Sequence, residues 1–181
     1  ESVHEALAEI EATTATRVRR RGANEDRVTG NMIAAVVTHD ASRKLDPQLH
    51  THICIINLTY DETEKRWKGV QPTGIYRHQG FFREVCFQKL KARLTAAGYE
   101  LTDVRGNGFN LKGVPPELRE RFSKRRQGIL KRAAEIGATS QEALKAIAVD
   151  TRDDKVHVAA DELRSKWQAE AGSELATVRA V

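Results

Sequence analysis

The segment that most constrains the fold is HTHICIINLTY at 50–60, which is apolar on both faces over most of its length. This pattern indicates a central strand that is covered by protein on each side. A β-branched apolar run at 32–38 predicts a second strand, and RWKGVQPT at 66–73 predicts an edge strand. The runs at 99–104 and 109–114 flank a Gly-containing turn, which is typical of a β-hairpin. We therefore expect an antiparallel sheet.

Helical patterns lie before and between these strands. Residues 2–16 carry apolar side chains at helical spacing, and 74–97 predicts one long helix that stops at Gly98. The basic run at 17–22 predicts a short strand that leaves the first helix. The polar stretch at 22–31 is interpreted as a turn-rich connection.

From Pro115 onward the pattern is helical only. Three helices are predicted, over 115–137, 139–152 and 161–171. The second is expected to be capped by Thr139 or Ser140 and the third by Asp161. Because strands come first and helices follow alone, the sequence predicts an α+β fold. Its antiparallel sheet would carry helices on one face and a helical flap at the C-terminus.

Basic side chains outnumber acidic ones by 30 to 25, which gives this chain of 181 residues a formal charge of +5. They cluster at 17–21 and 119–132. Such clusters suit a polyanionic partner such as nucleic acid. Charge alone is equally compatible with two solvated faces.

Cysteine usage and hydropathy indicate the compartment. Cys54 and Cys86 lie in apolar segments without paired spacing, so both are expected to be buried thiols in a reducing environment. No apolar run approaches the roughly 20 residues that a bilayer requires, and the start lacks the order of a secretory signal. We therefore expect a cytoplasmic protein without membrane contact. The sequence opens on a helical pattern without an initiator Met, which predicts a piece of a longer protein.

Three histidines lie close together in the sequence, at His39, His50 and His52. His50 and His52 are two positions apart on a predicted strand, so their rings project from one face. If the two strands that flank the intervening loop pair with each other antiparallel, His39 comes to lie beside the strand that starts at His50. Three imidazoles with open coordination positions are typical of a catalytic metal site. A pair of the form HxH, taken alone, also fits hydrogen-bonded histidines with no metal.

The segment HDASRKLDPQLHTH at 39–52 closely resembles the metal-binding motif of MobF-type conjugative relaxases, which belong to the HUH endonucleases. That motif has the form H-[DE]-x-S-R-x-x-[DE]-P-x-L-H-T-H. Its fixed positions are matched by His39, Asp40, Ser42, Arg43, Asp46, Pro47, Leu49, His50, Thr51 and His52. Shorter matches are TRVR at 16–19, TGN at 29–31, GYE at 98–100, FSKRRQGI at 122–129 and DTRDDK at 150–155. The similarity thus spans nearly the whole chain.

The resemblance implies a fragment of one relaxase domain, with a palm-like antiparallel sheet over 1–114 and a helical flap over 115–181. It implies one divalent cation held by His39, His50 and His52, with magnesium or manganese in use and zinc or nickel as alternatives. It also implies that single-stranded DNA at a plasmid transfer origin is the partner, and that a helicase follows in the parent protein.

Further roles are carried over from the family. Its nucleophilic tyrosine is expected upstream of this sequence, so Tyr60, Tyr76 and Tyr99 are interpreted as structural. From the chemistry of metal sites, Asp46 and Asp40 are candidates to orient a ligand imidazole, although a loop aspartate more often caps a turn. The candidate DNA contacts are Arg17, Arg19, Arg43, Arg152 and Lys155.

Three functions fit these features. The first is a relaxase domain that nicks and joins one DNA strand, here without its tyrosine. The second is a truncated or degenerate relaxase that binds DNA and metal without cleavage. The third is a metal-dependent hydrolase of a small substrate, which the basic surface and the absence of an apolar-pocket pattern disfavour.

Overall fold

The computed structural model describes residues 1–104, 108–151, 154, 156 and 158–179. The strands are β1 Ala15–Arg20, β2 Ala23–Val28, β3 Ala34–Ala41, β4 Pro47–Ile55, β5 Thr59–Asp61, β6 Arg66–Lys68, β7 Leu101–Val104 and β8 Gly108–Leu111. The helices are α1 Ser2–Thr13, α2 Thr73–Arg77, α3 Gln79–Ala96, α4 Pro116–Arg121, α5 Lys124–Glu135, α6 Gln141–Asp150, α7 Ala160–Ala171 and α8 Glu174–Arg179. These elements confirm the α+β class.

The chain forms two compact units. Unit 1 comprises Glu1–Val37 and Thr51–Lys112, and unit 2 comprises Thr38–His50 and Gly113–Val181. Consecutive strands pair as β1 with β2, β3 with β4, β5 with β6, and β7 with β8. The boundary between the units crosses β3 and β4. The tip of that hairpin, residues 38–50, therefore belongs to unit 2 together with the C-terminal helices.

The prediction of a turn-rich connection at 22–31 is wrong, because Ala23–Val28 is strand β2 and pairs antiparallel with β1. The pairing follows from the tight turn at Arg21 and Gly22, where φ is 50° and 84°. Positive φ at both central positions matches the right-handed twist of a two-residue hairpin. The polar composition of β2 concealed it, because this strand is exposed along most of its length.

Buried and half-buried hydroxyl and amide groups tie the loops of unit 1 to its strands. The Asn31 carboxamide accepts from the Tyr60 backbone N–H at 2.8 Å and donates to the Tyr60 carbonyl at 3.0 Å. Thr59 and Thr29 share a hydroxyl hydrogen bond of 2.6 Å, and Thr16 donates to the Gly69 carbonyl at 2.8 Å. Buried polar groups are stable only when paired in this way.

Unit 1 also packs α1 along α3, where Arg93 forms an ion pair with Glu1 at 2.6 Å. The single helix predicted at 74–97 is broken at His78, between α2 and α3. The His78 ring lies 2.9 Å from the Gly74 carbonyl, so the side chain competes for a helix acceptor at this point. The predicted stop at Gly98 is confirmed, since this residue has a φ of 92°.

The prediction that 50–60 is a strand buried on both faces is wrong. β4 ends at Ile55, and its residues alternate between exposed and half-buried positions after an exposed start. In the described part of the chain its sheet contains only β3 and β4. Cys54 in β4 is exposed and Cys86 in α3 is half-buried, so neither is the buried thiol that the sequence predicted.

The helices of unit 2 begin where short-range signals place them, with two exceptions. The predicted helix at 115–137 is divided into α4 and α5. Ser140 caps α6 as predicted, because its Oγ accepts from the Ala143 N–H at 3.1 Å. Asp161 does not cap α7: the N-cap is Ala159, and Asp161 lies in the first turn, where its charge suits the helix dipole.

An apolar core holds these helices together. The buried apolar side chains of unit 2 are Leu118, Ala133, Ile147, Leu163 and Ala171. They come from four different helices, so each helix buries one stripe and leaves its charged face in solvent. Within the described residues, no helix is both long and apolar enough to cross a membrane.

Candidate metal and nucleic-acid site

A closed turn at the hairpin tip joins the two strands that carry the histidines. The Ser42 N–H donates to the Asp46 carbonyl at 2.8 Å, and the Ser42 hydroxyl accepts from the Asp46 N–H at 3.1 Å. The Leu45 N–H donates to the Ser42 carbonyl at 2.9 Å. Leu45 itself has a φ of 61°, which is unusual for a residue with a bulky side chain. The turn is therefore strongly specified.

His39 and His50 meet on this tip. Their ring centroids are 5.5 Å apart and the planes differ by 30°, so the imidazoles stack. Strand β3 extends past the apolar run predicted at 32–38 and ends at Ala41, so His39 lies inside it. The His50 Nδ1 is 2.8 Å from the Gln48 carbonyl. In the neutral tautomer that donates this hydrogen bond, the Nε2 carries the lone pair that a metal ligand needs.

His52 lies in the part of β4 that belongs to unit 1. It follows His50 by two positions, so the alternation of a strand directs both rings to the same face. Among the residues that the structure describes, no group of three or more His, Cys, Asp or Glu side chains is arranged to hold a metal ion. The structure thus brings together two of the three predicted ligands, and the complete set stays a prediction.

Asp46, in the turn before β4, places its carboxylate at the N-terminus of α5. Its side chain is almost fully buried, and its carboxylate accepts from the Lys124 backbone N–H at 3.0 Å. The Lys124 Nζ lies 3.2 Å from the other carboxylate oxygen. Ser123, the N-cap of α5, makes no side-chain capping hydrogen bond, and its hydroxyl donates to the Arg119 carbonyl at 2.7 Å. These contacts serve α5, and the role of Asp46 in orienting a ligand imidazole stays a prediction.

Electrostatics reinforce this contact. Burial lowers the pKa of the Lys124 ammonium, but hydrogen bonds to Glu170 and Asp46 outweigh that effect and raise the pKa above its usual value. The Lys124 Nζ is 2.6 Å from the Glu170 carboxylate. The Lys124 ammonium therefore stays charged, and its ion pairs connect the turn to helices α5 and α7.

Trp167 provides a second contact with the same turn. Its indole Nε1–H donates to the Leu45 carbonyl at 2.6 Å, across 122 positions of sequence. This role of Trp167 was not predicted from the sequence. No periodic pattern signals such a contact, because it depends on how the helix packs.

Arg17 and Arg19 lie on the exposed face of β1, alternating with the buried Thr16 and Val18. The Arg17 guanidinium donates to the side-chain oxygen of Gln71 at 2.8 and 3.3 Å. This pair lines an open groove of about 360 Å³ within unit 1. The groove also contains Asn57 and Lys68, so its lining is rich in hydrogen-bond donors.

The other candidate DNA contacts are distributed differently. Arg43 lies in the turn at the hairpin tip and is half-buried. Arg152 and Lys155 lie outside the described residues. Of these three predicted DNA contacts, the structure therefore describes Arg43 alone.

The three tyrosines occupy separate elements. Tyr60, in β5, packs edge-on against Trp67 with centroids 5.3 Å apart. Tyr76 is exposed on α2, and Tyr99 precedes β7 with its N–H bonded to the Leu94 carbonyl at 3.0 Å. They do not form a pair on one helix.

Comparisons with known proteins agree with this architecture. The family model described as TrwC relaxase matches residues 1–173. Multifunctional conjugation protein TraI from Escherichia coli K12 is 35% identical over 177 residues, which cover 92% of this chain and 10% of TraI. The metal-free structure of conjugative relaxase TrwC in complex with OriT DNA matches with a TM-score of 0.89 at 30% identity. That alignment covers 97% of this chain and 63% of the TrwC chain.

A metal-bound structure of TrwC with OriT DNA gives a TM-score of 0.88 at 31% identity. It covers 97% of this chain and 61% of the TrwC chain. The chain therefore spans about a tenth of TraI and less than two thirds of the solved relaxase chains.

Proposed function

Because the chain belongs to the TrwC relaxase family, we propose that it carries the metal-binding and DNA-binding part of a relaxase that nicks and rejoins one DNA strand at a transfer origin. The observation that carries this proposal is the stacked pair His39 and His50, which lies inside the segment that matches the relaxase motif. The TrwC relatives are complexes with OriT DNA, and one of them is metal-bound. We infer the same two classes of ligand for this chain.

His39, His50 and His52 are the proposed ligands of one divalent cation. The donor set is chemically suitable, because neutral imidazoles hold divalent ions and the hydrogen bond at Nδ1 orients the second nitrogen of His50. Magnesium or manganese is the proposed ion in use. Zinc or nickel would be held more tightly by nitrogen donors.

A divalent cation at these rings would polarise the scissile phosphate and stabilise the charge that builds in an in-line displacement. Strands β3 and β4 carry the three imidazoles, and the hydrogen bond to the Gln48 carbonyl orients the His50 ring. Arg43, in the turn between the two histidine-bearing strands, is proposed to bind a phosphate next to the scissile one. A guanidinium suits that role because it stays charged and donates in a fork.

The proposed path of the DNA strand on unit 1 follows the exposed face of β1. Arg17 and Arg19 present guanidinium groups on that face, and the groove beside Arg17 adds further donors. Such a lining suits phosphate oxygens and the acceptor edges of bases. Arg152 and Lys155 are proposed as further contacts on the strength of the motif match alone.

The nucleophile is proposed to come from a segment outside this sequence. The side chain of Tyr60 packs against Trp67, and its backbone is fixed by Asn31. Tyr76 and Tyr99 lie on other elements, remote in sequence from the histidine motif. This arrangement also supports the alternative that the chain binds DNA and metal without cleavage. A helicase is the proposed continuation of the parent protein.

One comparison tests these proposals together. The chain is titrated with a single-stranded transfer-origin oligonucleotide, with a scrambled oligonucleotide and with a small chromogenic phosphoester, each with and without Mn²⁺. Salt-dependent binding that prefers the origin sequence is the expected result. Turnover of the phosphoester without DNA binding would identify a small-substrate hydrolase and overturn the relaxase assignment.

A further inference from the structure

Two helices of unit 2 hold the hairpin tip at adjacent residues. Trp167 of α7 donates to the Leu45 carbonyl at 2.6 Å. Lys124, the first residue of α5, donates its backbone N–H to the Asp46 carboxylate at 3.0 Å, and its Nζ lies 3.2 Å from the same group. The tip is thus fixed at one point by residues that lie 122 and 78 positions away in sequence.

Neither partner in the second contact has a good alternative. The first N–H groups of a helix lack partners within the helix, and the Ser123 side chain makes no capping hydrogen bond to α5. Asp46 is 2% exposed, and a carboxylate so deeply buried is costly unless it is paired. Asp46 therefore serves as the cap of α5, and α5 fixes Asp46.

The backbone at the first contact is strained. Leu45 has a φ of 61°, and a bulky residue persists in this region only when its surroundings enforce it. The Leu45 N–H is held by Ser42 and its carbonyl by Trp167. Both peptide groups that flank the strained Cα are thus hydrogen-bonded.

We propose that Trp167, Lys124 and Asp46 are positioning residues for His39 and His50, because they fix the turn that sets how β3 pairs with β4. The inference rests on the proposed metal-binding function. Side chains alternate between the two faces of a strand, so a slip of one residue in the turn would turn one imidazole away from the other. The C-terminal helices would then contribute to metal affinity without providing a ligand.

Trp167→Phe tests the inference in the full chain, because it removes the indole donor and keeps an aromatic ring. Trp67→Phe is the matched control, since Trp67 is half exposed on β6 of unit 1. We expect Trp167→Phe to speed amide hydrogen exchange at Leu45 and Asp46 and to leave α3 unchanged. Calorimetric Mn²⁺ affinity should fall on the order of tenfold, as for residues that orient metal ligands. The control should change neither.

Lys124 provides a second pair of variants. Lys124→Met keeps the backbone N–H but removes the ammonium beside Asp46, and should have the same effect as Trp167→Phe. Lys124→Arg keeps the charge and should behave as the unaltered chain. If Trp167→Phe loses protection against amide hydrogen exchange throughout α5 and α6, it has lost the fold of unit 2. The comparison of Lys124→Met with Lys124→Arg then tests the positioning role.

Two outcomes separate this inference from the proposed function. If the unaltered chain binds no Mn²⁺, the metal proposal fails; the positioning role is then judged by the nuclear Overhauser contact between the His39 and His50 rings, which the variants should weaken. If Trp167→Phe and Lys124→Met keep both that contact and the Mn²⁺ affinity of the unaltered chain, the positioning role is overturned.

Discussion

Arg27 donates through one guanidinium nitrogen to both carboxylate oxygens of Asp61, at 3.0 and 2.8 Å, although the two residues are 34 positions apart. The Asp61 carboxylate also accepts from the backbone N–H groups of Thr63 and Glu64, at 3.0 and 3.2 Å. Burial raises the pKa of Asp61, but the hydrogen bonds from Arg27 and the two amides outweigh it and lower the pKa. Asp61 thus joins β2 to the turn after β5.

This lowered pKa predicts a pH-dependent stability. The stabilisation is fully present above the ordinary aspartate value of about 3.9 and is lost as pH falls through the lower value of the folded state. Asp61→Asn should therefore lower Tm at neutral pH, and its difference from the unaltered chain should shrink on acidification below about pH 4. Thermal denaturation across this range measures both. Asp103→Asn, at an exposed ion pair with Lys91, is the control. A constant difference across the range would contradict the prediction.

Metal binding should require the three histidines. We expect one ion per chain by calorimetry, and single alanine substitutions at His39, His50 or His52 should weaken its binding by more than about a hundredfold, beyond the roughly 10- to 100-fold that loss of an orienting residue causes. His78→Ala is a matched control, because that ring is bonded to the Gly74 carbonyl. Binding that survives alanine at all three positions would reject this set of ligands.

DNA binding should depend on salt through the arginines of the proposed path. Each phosphate contact contributes a slope of roughly 0.7 in a plot of log affinity against log salt for single strands. Arg43→Ala and Arg17→Ala should each lower the affinity and flatten the slope by about that amount. Arg164→Ala removes an exposed charge from α7 and serves as the control. A DNA affinity that does not change with ionic strength would contradict the proposed arginine contacts.

No covalent DNA adduct should form with this chain alone. Phosphoryl transfer requires a nucleophile in line with the leaving oxygen at roughly 3 Å, and we propose that none of the three tyrosines takes that place. Denaturing electrophoresis after incubation with origin DNA and Mn²⁺ measures adduct formation. An adduct that Tyr60→Phe, Tyr76→Phe or Tyr99→Phe abolishes would identify the nucleophile within the chain. An adduct that appears only when an upstream segment is added would support our assignment.

Local patterns predicted the elements whose cause is local. The caps and stops at Ser140 and Gly98 depend on neighbouring residues, and both were correct. Strand β2 was missed because its polar residues have little preference for a strand. The turn at Arg21 and Gly22 and the register with β1 determine it. The expected burial of 50–60 was wrong because an apolar sequence cannot show which layers cover it.

In the candidate site, too, the features with local causes were predictable from the sequence and those with distant causes were not. His39 and His50 were identifiable because the motif is contiguous, and their contact follows from a short turn between paired strands. The role of Asp46 was not, because its partner Lys124 is 78 positions away. Nothing in a linear pattern indicates which carboxylate will cap a distant helix.

Cys54 is an exposed thiol on β4, the strand that carries His50 and His52, and can therefore be labelled chemically. Cys54 follows His52 by two positions in β4, so its thiol projects from the same face, whereas Cys86 is half-buried on α3. Brief alkylation should therefore modify Cys54 first. A nitroxide or fluorophore attached there would report the approach of a DNA strand to that face without any change to a histidine or an arginine.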